Sequence, residues 1–119
     1  MLKKLLRKAQ HPLRQKLQQE PFYRFQSFEE MQLAASWGIR IEANTASVDN
    51  WLRLPGLSIH QARTLTTLTE RGVAFTCIED VAAALTVPMQ QIQPWQAMLQ
   101  FCYYDREAAL EPTRTNANT

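Results

Sequence analysis

The stretch WLRLPGLSIHQAR, residues 51–63, sets a Leu-Pro-Gly turn between two apolar-periodic segments. Such a turn is either a tight connector that locks two helices together or a backbone cup that takes a phosphate. The cup works because free N–H groups and a positive dipole meet at a helix N-terminus. The other reactive residue types give little support to catalysis. His11 and His60 lie far apart and lack metal-ligand spacing, so each reads as a solvated surface residue. Cys77 falls at an expected helix start, a position that can activate a thiol, but it reads first as a small buried residue. Cys77 and Cys102 are too few and too far apart for a disulfide framework or a zinc site. Glu79 and Asp80 read as first-turn acids of a capped helix.

The elements that must position the turn follow from caps, breakers and apolar spacing. Ser47 is the N-cap candidate of a short helix, with Asp49 in its first turn and Val48, Trp51 and Leu52 facing inward. Pro55 and Gly56 stop it, one lacking a donor and the other permitting positive φ. A second helix is expected from Ser58 to Arg71, with Ile59, Ala62, Leu65 and Leu68 inward and Gly72 at its end. A connection of about three residues makes the pair cross as a hairpin. Upstream, Ser27 and Glu30 have capping-box spacing. Phe28, Met31, Ala34 and Ala35 supply the apolar stripe, and Gly38 ends the helix.

IRIE, residues 39–42, alternates in polarity and predicts a short extended segment. Val73 and Phe75 also look extended. Thr76 to Glu79 has the spacing of another capping box, with Ile78, Val81, Ala82 and Leu85 behind it. Pro88 and Pro94 each suit the first turn of a helix. Trp95, Met98, Leu99 and Cys102 space as one helical face, while LQFCYY, residues 99–104, reads equally as a strand pairing with IRIE. Trp37, Trp51 and Trp95 read as core anchors first and docking residues second.

Charge divides the chain. Residues 1–40 carry eight Lys/Arg against three Glu, and residues 41–119 carry five Arg against eight Asp/Glu. Lys3, Lys4, Arg7, Lys8, Arg14 and Lys16 occupy the first sixteen positions with no acid among them, so a polyanion would meet this segment first. Leu2, Leu5, Leu6, Ala9, Leu13 and Leu17 share one helical face there. Pro12 interrupts, so a helix is expected before it and a turn or kinked continuation after it. Three uses stay open: packing on the body, lying on an anionic membrane, or serving as a basic arm for nucleic acid.

At 119 residues, with 45% hydrophobic and 20% charged residues, the chain has the composition of one soluble domain. No apolar run approaches the ~18 residues of a spanning helix, and the start lacks the pattern of a secretory signal. A cytoplasmic location is expected, with peripheral membrane contact through residues 2–17 as the alternative. Residues 1–20 form the basic amphipathic segment. Residues 21–104 form one helical domain with its core at 41–88, and 105–119 reads as a polar, mobile tail.

The runs IEANTASVDNWLRLPGLSIHQARTLTTL and FTCIEDVAAAL, within residues 41–85, resemble helix-hairpin-helix proteins of the ComEA type, the competence DNA receptors. They also resemble the related fold of the photosystem II extrinsic subunit PsbU. With the FCYYD ending, the pattern is similar to small proteins of photosynthetic bacteria. The resemblance implies a mainly α fold class, a helix-hairpin-helix domain with one intact and one degenerate hairpin, to which the residue patterns above add an optional two-stranded β pair and an N-terminal amphipathic helix. It implies a non-enzymatic module that binds DNA without sequence preference. The amides of Gly56, Leu57, Ser58 and Ile59 would hold a phosphate, flanked by Arg53, His60 and Arg63. The N-terminal basic residues would supply most of the affinity. Turn carbonyls in related hairpins can hold a monovalent cation; no other cofactor or metal is implied.

The sequence departs from that family in three places. Ser58 stands where a second glycine is usual. The second hairpin's slot, LTVPM at 85–89, has no glycine and so is expected to keep its packing and lose its cup. The matching stretch carries five acids and three arginines, whereas duplex binders are usually basic. The PsbU resemblance implies the alternative, a protein-docking or assembly subunit associated with a photosynthetic or membrane complex. A glycosylase branch of the superfamily places a lysine or aspartate near the hairpin. Asp80 is loosely suited to that role, but the chain is too short for the surrounding glycosylase domains.

Overall fold

A computed structural model describes residues 11–102. Lys3, Lys4, Arg7 and Lys8, the helix expected before Pro12 and the 105–119 tail lie outside the described residues. The first described helix, α1 (Pro12–Gln19), begins at the proline expected to interrupt one. Pro12 takes the first helical position, where a missing N–H leaves nothing unsatisfied. His11 caps this helix, its Nδ1 accepting from the Leu13 amide at 3.0 Å. Its ring stands edge-on to Trp37 at 5.8 Å. His11 is thus a half-buried capping residue, not the solvated one the sequence suggested. Leu13 is buried and Leu17 packs against the same core, so the described part of the leading segment lies on the body.

Helix α2 (Phe28–Ser36) starts on Ser27, whose Oγ accepts from the Glu30 amide at 3.1 Å. The reciprocal bond of the expected capping box is shifted: the Glu30 carboxylate accepts from the Gln26 amide at 2.7 Å and from the Tyr23 hydroxyl at 3.0 Å. Met31, Ala34 and Ala35 are buried, whereas Phe28 is 39% exposed. At 100° per residue Phe28 falls about 70° from the centre of that stripe, which leaves its ring at the edge.

Strand β1 (Ile41–Glu42) follows and pairs in parallel with β2 (Leu99–Gln100), Ile41 opposite Leu99 and Glu42 opposite Gln100. This decides between the two readings of LQFCYY in favour of a strand at 99–100. A parallel pair requires a long crossover, and here residues 43–98 supply it. The crossover holds α3 (Val48–Trp51), α4 (Ile59–Glu70), α5 (Ile78–Leu85), α6 (Met89–Ile92) and a 3-10 helix, Gln93–Ala97. Inside it, Asn44 bonds both main-chain groups of Phe75, donating from Nδ2 to its carbonyl at 2.8 Å and accepting its amide at 2.7 Å. The buried side chains form one cluster centred on Trp51, Phe25, Phe75, Met31, Leu54 and Leu57. Among the described residues the protein is therefore mainly helical with a two-stranded parallel sheet. No helix there is long and apolar enough to cross a membrane.

The helix starts at Ser47 and Ser58 carry full reciprocal capping boxes, with Asn50 and Gln61 respectively. Helix α3, however, ends at Trp51, and residues 52–58 connect it to α4: seven residues, not about three. The chain leaves α3 through tighter bonds, Arg53 N–H to the Asn50 carbonyl and Leu54 N–H to that of Trp51, each 3.1 Å. Leu54 and Leu57 then insert fully into the core. Ile59 was expected inward but is 41% exposed, lying about 90° from the Ala62–Leu65 stripe. Val73 is also exposed and Phe75 buried, and neither lies in a strand.

The start of α5 departs from the expected Thr76–Glu79 box. Cys77 is the N-cap and makes no capping bond. Instead the Thr76 amide and hydroxyl both donate to Oδ2 of Asp80, at 2.7 and 2.9 Å. One carboxylate at i+4 closes the turn that Glu79 at i+3 was expected to close. The helix ends on Thr86 at φ 57°, ψ 49°, a left-handed conformation held by a β-branched residue at a cost of about 1–2 kcal/mol.

These two bonds from Thr76 hold the Asp80 carboxyl below its ordinary pKa of 3.8. A carboxyl with a depressed native pKa stabilises the fold above its unfolded pKa, and that contribution is lost as pH falls through the native value. Asp80→Asn is therefore expected to be less stable than the wild type at pH 7. The gap should close as urea-unfolding curves are taken from about pH 5 downward.

Candidate functional site at the α3–α4 turn

The turn at 52–58 is strapped by three consecutive residues that precede α2. The Tyr23 carbonyl accepts from Arg53 Nε at 3.1 Å, and the Phe25 amide donates to the Arg53 carbonyl at 2.9 Å. Between them, Arg24 reaches over the turn, Nη1 donating to the Leu52 carbonyl at 2.7 Å and Nη2 to that of Leu57 at 2.8 Å. From the other side Trp95 donates Nε1–H to the Pro55 carbonyl at 2.9 Å. Tyr23, Arg24 and Trp95 were not legible as site residues. The one signal was the alternation of YRF after Pro21, which suits an extended strap.

Four residues were expected to form the cup, and they differ in what they offer. Gly56 is the exposed apex at φ 86°, with no atom within 4 Å of where a Cβ would stand. Leu57 is fully buried and its amide donates to the Leu54 carbonyl at 3.3 Å. The Ser58 amide donates to Gln61 Oε1 at 3.0 Å within the capping box. Ile59 is exposed. Two of the four amides are thus engaged internally, leaving the apex and the first residue of α4 open. His60 and Arg63 stand exposed on the outer face of α4, beside Thr64 and Thr67, and line a shallow groove there.

Arg53 does not flank the cup. It is buried at 9% exposure, with its guanidinium 5.2 Å from the centre of the Phe25 ring, and burial lowers its pKa. A cation taken into the interior needs hydrogen bonds to offset desolvation; the Tyr23 carbonyl provides one. Of the N-terminal cations within the described residues, Arg14 lies over Trp37 at 4.5 Å and Lys16 over Tyr23 at 5.7 Å. These contacts draw two of the six basic side chains onto the body.

A monovalent cation at this turn would compete with donors that already occupy its carbonyls. The carbonyls of Leu52, Arg53, Leu54, Pro55 and Leu57 already accept bonds from Arg24, Phe25, Leu57, Trp95 and Arg24 in turn. The positive charge such carbonyls would attract is supplied by Arg24. No group of three or more His, Cys, Asp or Glu among the described residues could hold a metal ion.

Beside the apex, Gln26, Ser27, Phe28, Glu29, Gln32, Pro55 and Gly56 line an open groove of about 400 Å³. It is mixed in character, with an exposed ring and a carboxylate on the α2 side. Cys77 is half-buried at the start of α5, away from this groove's lining. Trp51 and Trp95 are buried anchors as expected, while Trp37 is only half-buried under Arg14. Among the described residues the Trp51 indole N–H has no hydrogen-bond partner.

The chain matches no protein-family model, no curated protein and no solved structure.

Because its Nε bond and its ring contact are internal, Arg53 should matter for folding rather than for an external anion. Arg53→Lys removes the bond to the Tyr23 carbonyl and is expected to cost about 1–2 kcal/mol in denaturant unfolding. The salt dependence of any polyanion binding should be unaltered.

Proposed function

We propose that residues 41–88 act as a helix-hairpin-helix module, one intact hairpin and one degenerate, which binds nucleic acid without reading sequence. The observation that supports this best is the apex at Gly56. It is exposed and left-handed, with no atom within 4 Å of where a Cβ would stand, which leaves room for a phosphate beside the main chain. The open positions continue along α4 through Ile59, His60 and Arg63. The turn supplies one contact to a phosphate, and Lys3, Lys4, Arg7, Lys8, Arg14 and Lys16 supply the bulk of the electrostatic attraction. No step of chemistry is involved, so the protein is a binding module rather than an enzyme.

A second reading, protein docking, is favoured by the groove at the same apex. Phe28 stands 39% exposed there beside Pro55, and Glu29 contributes a carboxylate that a phosphate would not favour. In that reading the turn locks the scaffold and the groove takes a partner's side chain.

Fluorescence anisotropy of a labelled duplex, titrated with the full chain, separates the two. With about four phosphates neutralised, affinity should fall about 10²-fold between 50 and 200 mM salt. Deleting residues 1–16 should flatten that dependence. Absence of binding at 50 mM salt overturns the nucleic-acid reading and leaves the groove as the functional surface.

A further inference from the structure

We infer that Arg24, and not Arg53, is the arginine that meets a phosphate at this turn; the inference rests on the nucleic-acid reading. A guanidinium carries five N–H donors in a planar fork. Two of Arg24's are fixed on the Leu52 and Leu57 carbonyls, at 2.7 and 2.8 Å, on either side of Pro55–Gly56. The remaining three, Nε–H among them, make no bond among the described residues, and Arg24 forms no ion pair there. The side chain is nonetheless exposed.

A free arginine loses side-chain entropy when it grips an anion. Arg24 is already held in place by the main chain of the very turn whose apex is open. Its residual donors present the planar geometry that suits two phosphate oxygens. The carbonyls that hold it offset part of its potential through their dipoles but add no formal charge, so the guanidinium stays a net cation toward an anion. Lys16, over the ring of Tyr23, brings a second cation next to the strap. The carboxylates nearby are partly committed: Glu30 accepts from the Tyr23 hydroxyl and the Gln26 amide. Glu29, on the groove wall, and Glu20, whose charge acts on Tyr23, oppose an anion.

The test compares the full-length wild type with Arg24→Met and Arg24→Lys, using a labelled DNA duplex and salt from 50 to 200 mM. Removing one phosphate contact should lower the magnitude of the slope of log K against log salt by about 0.9. Arg24→Met is expected to show that loss, and Arg24→Lys to retain the wild-type slope. Thermal unfolding of each variant records the separate effect of losing the two carbonyl bonds. If Arg24→Met binds more weakly with an unchanged slope, Arg24 acts only on the turn's stability and the inference fails.

Should Arg24→Met not fold, the wild type decides. Bound duplex should protect Arg24 from an arginine-specific dicarbonyl, read by peptide mass spectrometry, and equal modification with and without duplex overturns the inference. A wild type that does not bind duplex at 50 mM salt overturns the inference and the nucleic-acid reading together. Binding without the slope change or the protection overturns the inference alone.

Discussion

The conformation of the α3–α4 turn depends on a strap that is remote from it in sequence. Tyr23, Arg24 and Phe25 run across residues 52–57, and every one of the three contributes a bond. Main-chain carbonyls in a turn of this tightness have no helical or sheet partner, and buried ones cost free energy if left unmade. Here five are satisfied, three of them by the strap. Leu54 and Leu57 can then drop fully into the core while the backbone between them stays at the surface. The apex is open because its flanks are fastened, and the resulting concentration of donors and acceptors accounts for both the buried Arg53 and the exposed Arg24.

The local signals in the sequence were the ones that rest on local physics. Ser27, Ser47 and Ser58 cap the helices at the expected positions, since a side-chain oxygen and the amide three residues on need nothing else. Gly56 takes the positive φ expected of it. One local signal failed, the Thr76–Glu79 box, where Asp80 at i+4 takes the bonds; most other failures depended on distant contacts. Arg53 reads as a flanking surface cation until the Tyr23 carbonyl and the Phe25 ring claim it. Pro12 reads as an interruption, although a helix that begins at that residue welcomes it. The length of the α3–α4 connection was underestimated because Leu52 and Leu54 keep the apolar character of a helix while leaving it. Arg24 gave no signal beyond the alternation of YRF: its partners are 28 and 33 residues away.

Two parts of the interior carry polar groups, with opposite outcomes. Asn44 satisfies Phe75 at both main-chain positions and in doing so ties the loop before α3 to the loop before α5. Glu42 extends the link, accepting from the Asn44 amide at 3.1 Å and the Cys102 amide at 3.0 Å. Trp51, fully buried a few residues away, leaves its indole N–H unmatched among the described residues. Its ring meets Phe75 edge-on at 6.5 Å, so packing rather than hydrogen bonding fixes it. The core thus gains direction from one amide side chain and volume from one indole.

The two-stranded sheet has a consequence for how the chain is made. Ile41 and Leu99 are neighbours in space although 58 positions separate them in sequence. Nothing earlier can stand in for β2, so during synthesis the helices of the crossover emerge before the clasp that closes them. A chain stopping short of Met98 would leave the Ile41 and Ala43 amides without the Met98 and Gln100 carbonyls they bond, and the crossover would be tethered at one end only.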